Sequence, residues 1–118
     1  MEPSRAGIEF DNAGIRVDAR LRTTNRRVFA IGDAAVGYKF THVAGYQAGI
    51  VIRNALFRLP AKADYRALPW VTYASPELAQ VGMTEIAARA AHGNIRVLRS
   101  SFSDNDRATA ARNADGLV

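Results

Sequence analysis

The chain has 118 residues, 48% of them hydrophobic and 23% charged, with a formal net charge of +5 and no cysteine. That apolar content is enough to offset the ordering entropy of a domain, which excludes wholesale disorder. The absence of cysteine excludes a disulfide framework and any thiol chemistry by these residues. No apolar run approaches the length of a membrane-spanning helix, and Glu2-Pro3-Ser4-Arg5 behind Met1 does not open a signal peptide, so a cytoplasmic protein without a membrane partner is expected.

The first stretch reads as short strands. Ile8-Glu9-Phe10 and Ile15-Arg16-Val17 alternate in polarity around Asp11-Asn12-Ala13-Gly14, where Asn12 and Gly14 tolerate positive φ. Much of the positive charge falls here, on Arg16, Arg20, Arg22, Arg26 and Arg27. These could neutralise nucleic-acid phosphates. No aromatic residues interleave with them as a single-strand binder requires, so a solvated or covered face is the preferred reading and no nucleic-acid partner is expected. Val28-Phe29-Ala30-Ile31 is a continuous apolar run ending at Gly32-Asp33, which suits a strand buried on both faces.

A helix is expected from Thr41 to Phe57, with Thr41 as its N-cap and Val43, Ile50, Val51 and Leu56 as its apolar contacts. Gly45 and Gly49 lie on one face of it. Each costs about 1 kcal/mol relative to alanine in a helix, so close approach of a ligand or another backbone is expected there. Pro60 and Pro69 bracket a polar, irregular passage, which places a domain boundary over residues 60–69. Val71 to Tyr73 and Leu78 to Val81 then read as strands. Thr84 can cap a short helix through Ala91 that Gly93 ends in the left-handed region. Ile95 to Phe102 reads as a further strand, and Leu117-Val118 as the start of another.

The residues most able to carry chemistry are Arg22-Thr23-Thr24-Asn25, the run Val28 to Asp33, and Thr41-His42-Val43-Ala44. A buried strand delivers Gly32 and Asp33 at its C-terminal end, where open α/β folds bind ligands. Gly32 allows close backbone approach, and the Asp33 carboxylate can accept hydrogen bonds from sugar-like hydroxyls. The helix at Thr41 directs free N–H groups and its positive dipole end to the same region. A turn glycine followed by a capping aspartate would also account for the pair. His42 can meet a ligand or face solvent. No second ligand stands at a spacing that would make it or His92 a metal site. Pro76-Glu77 reads as a strand-entry turn rather than a catalytic acid, Trp70 and Tyr73 as core or interface anchors, and Arg107 as a dimer-contact or surface residue.

The run Val28 to Asp33, preceded by Arg22-Thr23-Thr24, resembles the second FAD fingerprint of the pyridine nucleotide-disulfide oxidoreductases. These are flavoproteins that include dihydrolipoamide dehydrogenase, glutathione reductase and mercuric reductase. Phe40 to Ala48 resembles the mercuric-reductase-like branch. Leu68 to Tyr73, Ser75-Pro76-Glu77 and Val81 to Glu85 resemble the opening of that family's dimerisation domain, and Arg107-Ala108 with Asp115-Gly116 its later strands. The resemblance implies an α/β end of an FAD-binding domain over 1–59, a linker over 60–69, and a truncated α+β dimerisation domain with an antiparallel sheet over 70–118.

The resemblance further implies FAD as cofactor and NAD(P)H as co-substrate. Electrons would pass to a cysteine pair and then to a disulfide, small-molecule or metal-ion substrate, within a homodimer. Cofactor contacts would come from Gly32 by close backbone approach, from Asp33 on the ribityl chain, and from Thr41, His42 and Val43 at the flavin pyrimidine end. The glycine-rich phosphate loop, the cysteine pair and the His-Pro…Glu segment of the family are not in this sequence. No catalytic residue is therefore assigned, and the chain alone is expected to be inactive and to hold FAD weakly. Two other readings share some of these features: a flavoprotein reductase for an iron–sulfur partner, and a non-enzymatic dimerisation module.

Overall fold

A computed structural model describes residues 2–118. The chain divides into two compact units, one ending at Gly82 and one over Met83–Val118. The passage 60–69 and the strands that follow it pack within the first unit.

After a 3₁₀ turn at Pro3–Ala6 the first unit forms a short hairpin, β1 (Phe10–Asp11) against β2 (Gly14–Ile15), pairing Phe10 with Ile15 and Asp11 with Gly14. Asp11 Oδ1 accepts from the Ala13 N–H at 2.8 Å and closes the turn. Asn12 keeps a negative φ. Gly14 is the residue at φ +137°, and the backbone at Ala34 and Ala35 passes within 3.0–3.1 Å of where its Cβ would stand, so glycine suits the position twice over. Ile15 bridges Ala35 in parallel, which docks the hairpin on the segment that follows Asp33.

Residues 28–31 do not form the doubly buried strand expected. They are one arm of a tight antiparallel turn, bridged from Phe29 to Arg22, with Thr23 N–H donating to Val28 O at 3.0 Å. Ala30 is buried, while Val28, Phe29 and Ile31 are half-buried. A strand buried on both faces needs neighbours along both edges, and among the described residues this one has only the arm at 21–23.

Helix α1 covers Thr41–Ala55, slightly shorter than expected. Its buried stripe is Val43, Gln47, Ile50 and Asn54, at the three- and four-residue spacing of one helical face. With Leu21, Ala30 and Ala35 these residues make the core. Leu56 is 74% exposed and lies beyond the helix end, so it is not one of the expected contacts. Gly45 and Gly49 are exposed, and nothing lies within 4 Å of an added Cβ at either, so within this chain no close approach explains them. The passage after α1 is tied back to it. Asn54 Nδ2 donates to Ala61 O at 2.8 Å, and Tyr46 Oη accepts from the Asp64 N–H at 2.9 Å. The unit closes with the antiparallel hairpin β3 (Pro69–Thr72) and β4 (Leu78–Val81), pairing Trp70 with Gln80 and Val71 with Ala79. Ser75-Pro76 lies in its turn.

In the second unit, α2 (Glu85–His92) is capped by Thr84, whose Oγ1 accepts from the Ala87 N–H at 3.2 Å. Gly93 follows at φ +72° and ψ −108°, a positive-φ stop outside the left-handed helical well expected. Residues 95–100 form no strand; only Ser101 bridges, to Leu117, with Ser100 and Val118 exchanging backbone hydrogen bonds at 2.7 and 2.8 Å. Between these arms lies α3 (Asp106–Ala110), capped by Asn105. None of the described residues of this unit is buried, and Ile86, Leu98 and Val118 stand exposed.

Candidate functional site

The candidate site sits in the first unit, where the segment after Ile31 meets the start of α1. Gly32 has φ +59°, and its N–H donates to Gln47 Oε1 at 2.7 Å in the buried interior. A Cβ at Gly32 would lie 3.1 Å from the Ala44 Cβ, so the glycine permits the turn to close on the helix. Gln47 Nε2 in turn donates to Tyr65 Oη at 2.8 Å. One amide thus fixes both the 3₁₀ turn Gly32–Ala34 and the passage after α1.

That anchoring leaves Asp33 exposed on the turn, with no side-chain hydrogen bond among the described residues. The start of α1 is likewise unfilled. The capping position is Phe40, which offers no side-chain acceptor, and Thr41 is the first helical residue rather than the cap. The first-turn N–H groups therefore have no side-chain partner, and they carry the positive end of the helix dipole. Val43 is fully buried, so only its backbone could face a ligand. His42 is exposed and stacks on Phe40, with ring centroids 5.5 Å apart. Its Nε2 lies 2.8 Å from Pro69 O. A carbonyl only accepts, so Nε2 carries the proton, and Nδ1 is the ring atom left for another partner.

A groove of about 690 Å³ runs along this edge, between Lys39 to His42 and Pro69, Trp70, Val71 and Tyr73. Trp70 and Tyr73 thus line a wall within the unit, with Tyr73 largely exposed. The structure brings together Gly32 and the helix start through Gln47 and Ala44. Gln47 and Tyr65 were not singled out from sequence. The legible signal was the position of Gln47, four residues after Val43 and three before Ile50, on the same helical face. Among the described residues no group of three His, Asp or Glu side chains converges as a metal site. No helix among them is long and apolar enough to cross a membrane.

Comparison with known proteins gives a consistent picture over both halves of the chain. Residues 2–48 match the profile described as pyridine nucleotide-disulphide oxidoreductase, and residues 68–118 match that family's dimerisation domain. The chain is 32% identical over 118 residues to a dihydrolipoyl dehydrogenase of Bacillus subtilis (strain 168), covering all of this chain and 26% of that one. It is 41% identical over 85 residues to a mercuric reductase of Bacillus cereus, covering 71% of this chain and 14% of that one. Among solved structures, the Cu(II) complex of the HOCl-induced flavoprotein disulfide reductase RclA from Escherichia coli superposes with a TM-score of 0.84 at 30% identity. That match covers 98% of this chain and 27% of that one. The mixture of helices with small antiparallel sheets matches that flavoprotein fold.

Proposed function

Since the chain belongs to the pyridine nucleotide-disulphide oxidoreductase family, we propose that it supplies the closing part of a flavin site and the opening of a dimerisation domain in an FAD-dependent NAD(P)H oxidoreductase. The boundaries proposed are 1–59 for the flavin-binding part, 60–69 for the linker and 70–118 for the dimerisation part. The observation that carries the reading is the pairing of an unpartnered carboxylate, Asp33, with the uncapped start of α1.

These residues fit the cofactor's chemistry. The Asp33 carboxylate accepts hydrogen bonds and would hold ribityl hydroxyls. The N–H groups of Thr41, His42 and Val43 donate, and would favour electron-rich atoms at the pyrimidine edge. When bound, FAD supplies two-electron transfer between a nicotinamide and the next acceptor. Gly32 and Gln47 would hold the turn at a fixed distance from the helix, so that the carboxylate and the N–H groups need no reorganisation. The acceptor belongs to the same proposal: a cysteine pair, and beyond it a disulfide or metal-ion substrate. So do a homodimer and a cytoplasmic location. The exposed Ile86, Leu98 and Val118 support the dimer. Alone, these 118 residues would be inactive and hold FAD weakly, because they contain no glycine-rich loop for the pyrophosphate.

The test is to read the coding sequence on both sides and purify the extended chain. A glycine-rich loop and a cysteine pair upstream, with a yellow protein that Asp33→Ala bleaches, is the expected result. A colourless extended chain, or one whose FAD content is unchanged by Asp33→Ala, would overturn the site assignment.

A further inference from the structure

Four of the arginines near the start of the chain gather at one place. Arg20, Arg22, Arg26, Arg27 and Arg58 line one hollow of about 620 Å³, together with Phe29, Asn54, Ala55, Leu59 and Pro60. No carboxylate is among the lining residues. Elsewhere arginines do find acids: Arg16 pairs with Asp11, Arg66 with Asp64, and both Arg89 and Arg99 with Glu85. None of the five around the hollow has an ion-pair partner among the described residues.

The local backbone builds this arrangement. Asp18 Oδ1 accepts from the N–H groups of Arg20 and Arg22, at 2.8 and 3.0 Å. Leu21 between them adopts φ +65° and buries its side chain, so Arg20 and Arg22 flank a fixed corner. Asn25 Oδ1 accepts from the Arg27 N–H at 3.1 Å and holds the tip that bears Arg26 and Arg27. The Arg22 guanidinium lies over the Phe29 ring, 5.7 Å from its centroid. Its Nε is buried and has no hydrogen-bond partner among the described residues. A guanidinium presents its N–H groups in a fork that matches phosphate oxygens. The opposite wall is pinned by Asn54, which donates to both Ile50 O and Ala61 O.

We propose that this hollow is a binding site for a small, multiply charged phosphate anion, of the di- or triphosphate class. Five guanidinium groups around one concavity repel each other, and a bound polyanion converts that repulsion into charge-assisted hydrogen bonds. The carbonyl end of α1 also faces this region at Asn54 and Ala55. It contributes roughly half a negative charge, which five full positive charges outweigh. The site lies at the opposite end of α1 from Asp33 and Thr41, and does not depend on the flavin reading.

The experiment is calorimetric titration of inorganic tripolyphosphate into the 118-residue chain at low salt. Saturable one-to-one binding is expected. Arg22→Gln and Arg26→Gln should each weaken it by about tenfold or more. Arg107→Gln removes the same charge from the second unit and should leave it unchanged. Arg26 stands on an exposed tip, so its variant keeps the test valid if Arg22→Gln fails to fold. Absence of saturable binding overturns the proposal, and so does equal weakening by Arg107→Gln. A single-stranded oligonucleotide that binds and is not displaced by tripolyphosphate overturns it as well.

Discussion

The side-chain oxygen of Gln47 accepts the backbone N–H of Gly32 at 2.7 Å, inside the core of the first unit. This bond joins residues 15 apart in sequence and sets where Asp33 stands relative to α1. Replacing Gln47 with leucine keeps the volume and removes the acceptor, leaving the Gly32 N–H unpaired. The expected loss is about 1–3 kcal/mol, read as a lower urea midpoint with unchanged slope.

Gly32→Ala tests the turn itself. The substitution places an L side chain at φ +59° and a methyl 3.1 Å from the Ala44 Cβ. A cost of about 1–2 kcal/mol is expected from the backbone conformation. Adding Ala44→Gly removes the contact and leaves the φ penalty, so the double variant should stay less stable than Ala44→Gly alone in thermal melts.

Asp33→Asn should behave differently from both. Asp33 is exposed and makes no side-chain hydrogen bond among the described residues, so the melting temperature of the chain should not move. A substantial fall would show a structural partner for the carboxylate and weaken its reading as a ligand group.

Asp64 offers a pH prediction with a fixed sign. The Arg66 guanidinium hydrogen-bonds both carboxylate oxygens, at 3.0 and 2.6 Å, and pulls the Asp64 pKa down to about 2. The folded value lies below the ordinary value of about 3.9. Any stability the pair contributes is therefore present above pH ~4 and lost as pH falls toward 2. A carboxyl-carbon NMR titration should show Asp64 half-protonated near 2, and Arg66→Gln should move it back up. Both groups are well exposed, so the effect on the melting temperature should be small.

In the second unit, Thr84→Ala removes the cap of α2 and should cost about 1 kcal/mol. Glu85→Gln should add to that loss, since Glu85 also holds Arg89 at 2.9 Å and Arg99 at 2.6 Å. Helicity by circular dichroism checks both, and high salt should shrink the Glu85 effect but not the Thr84 effect.

Sequence by itself determined what depends on local pattern. The span of α1, the β3 and β4 strands, and the Thr84 cap all follow from periodicity and capping chemistry within a few residues. The fingerprint Val28 to Asp33 was legible through its resemblance to the family's motif, in order with Thr41-His42 and Pro76-Glu77. Tertiary structure alone decided the rest. It made residues 28–31 a hairpin arm, since a strand's burial depends on which neighbours reach its edges. It took the expected strand at 95–102 down to a single bridge at Ser101 for the same reason. Packing also chose Gln47, on the helical face it shares with Val43 and Ile50, as the link between Gly32 and Tyr65. It drew Arg58 to four arginines more than thirty positions earlier. Local pattern records what a residue can do with its near neighbours. Which distant partner meets it is a property of the folded chain.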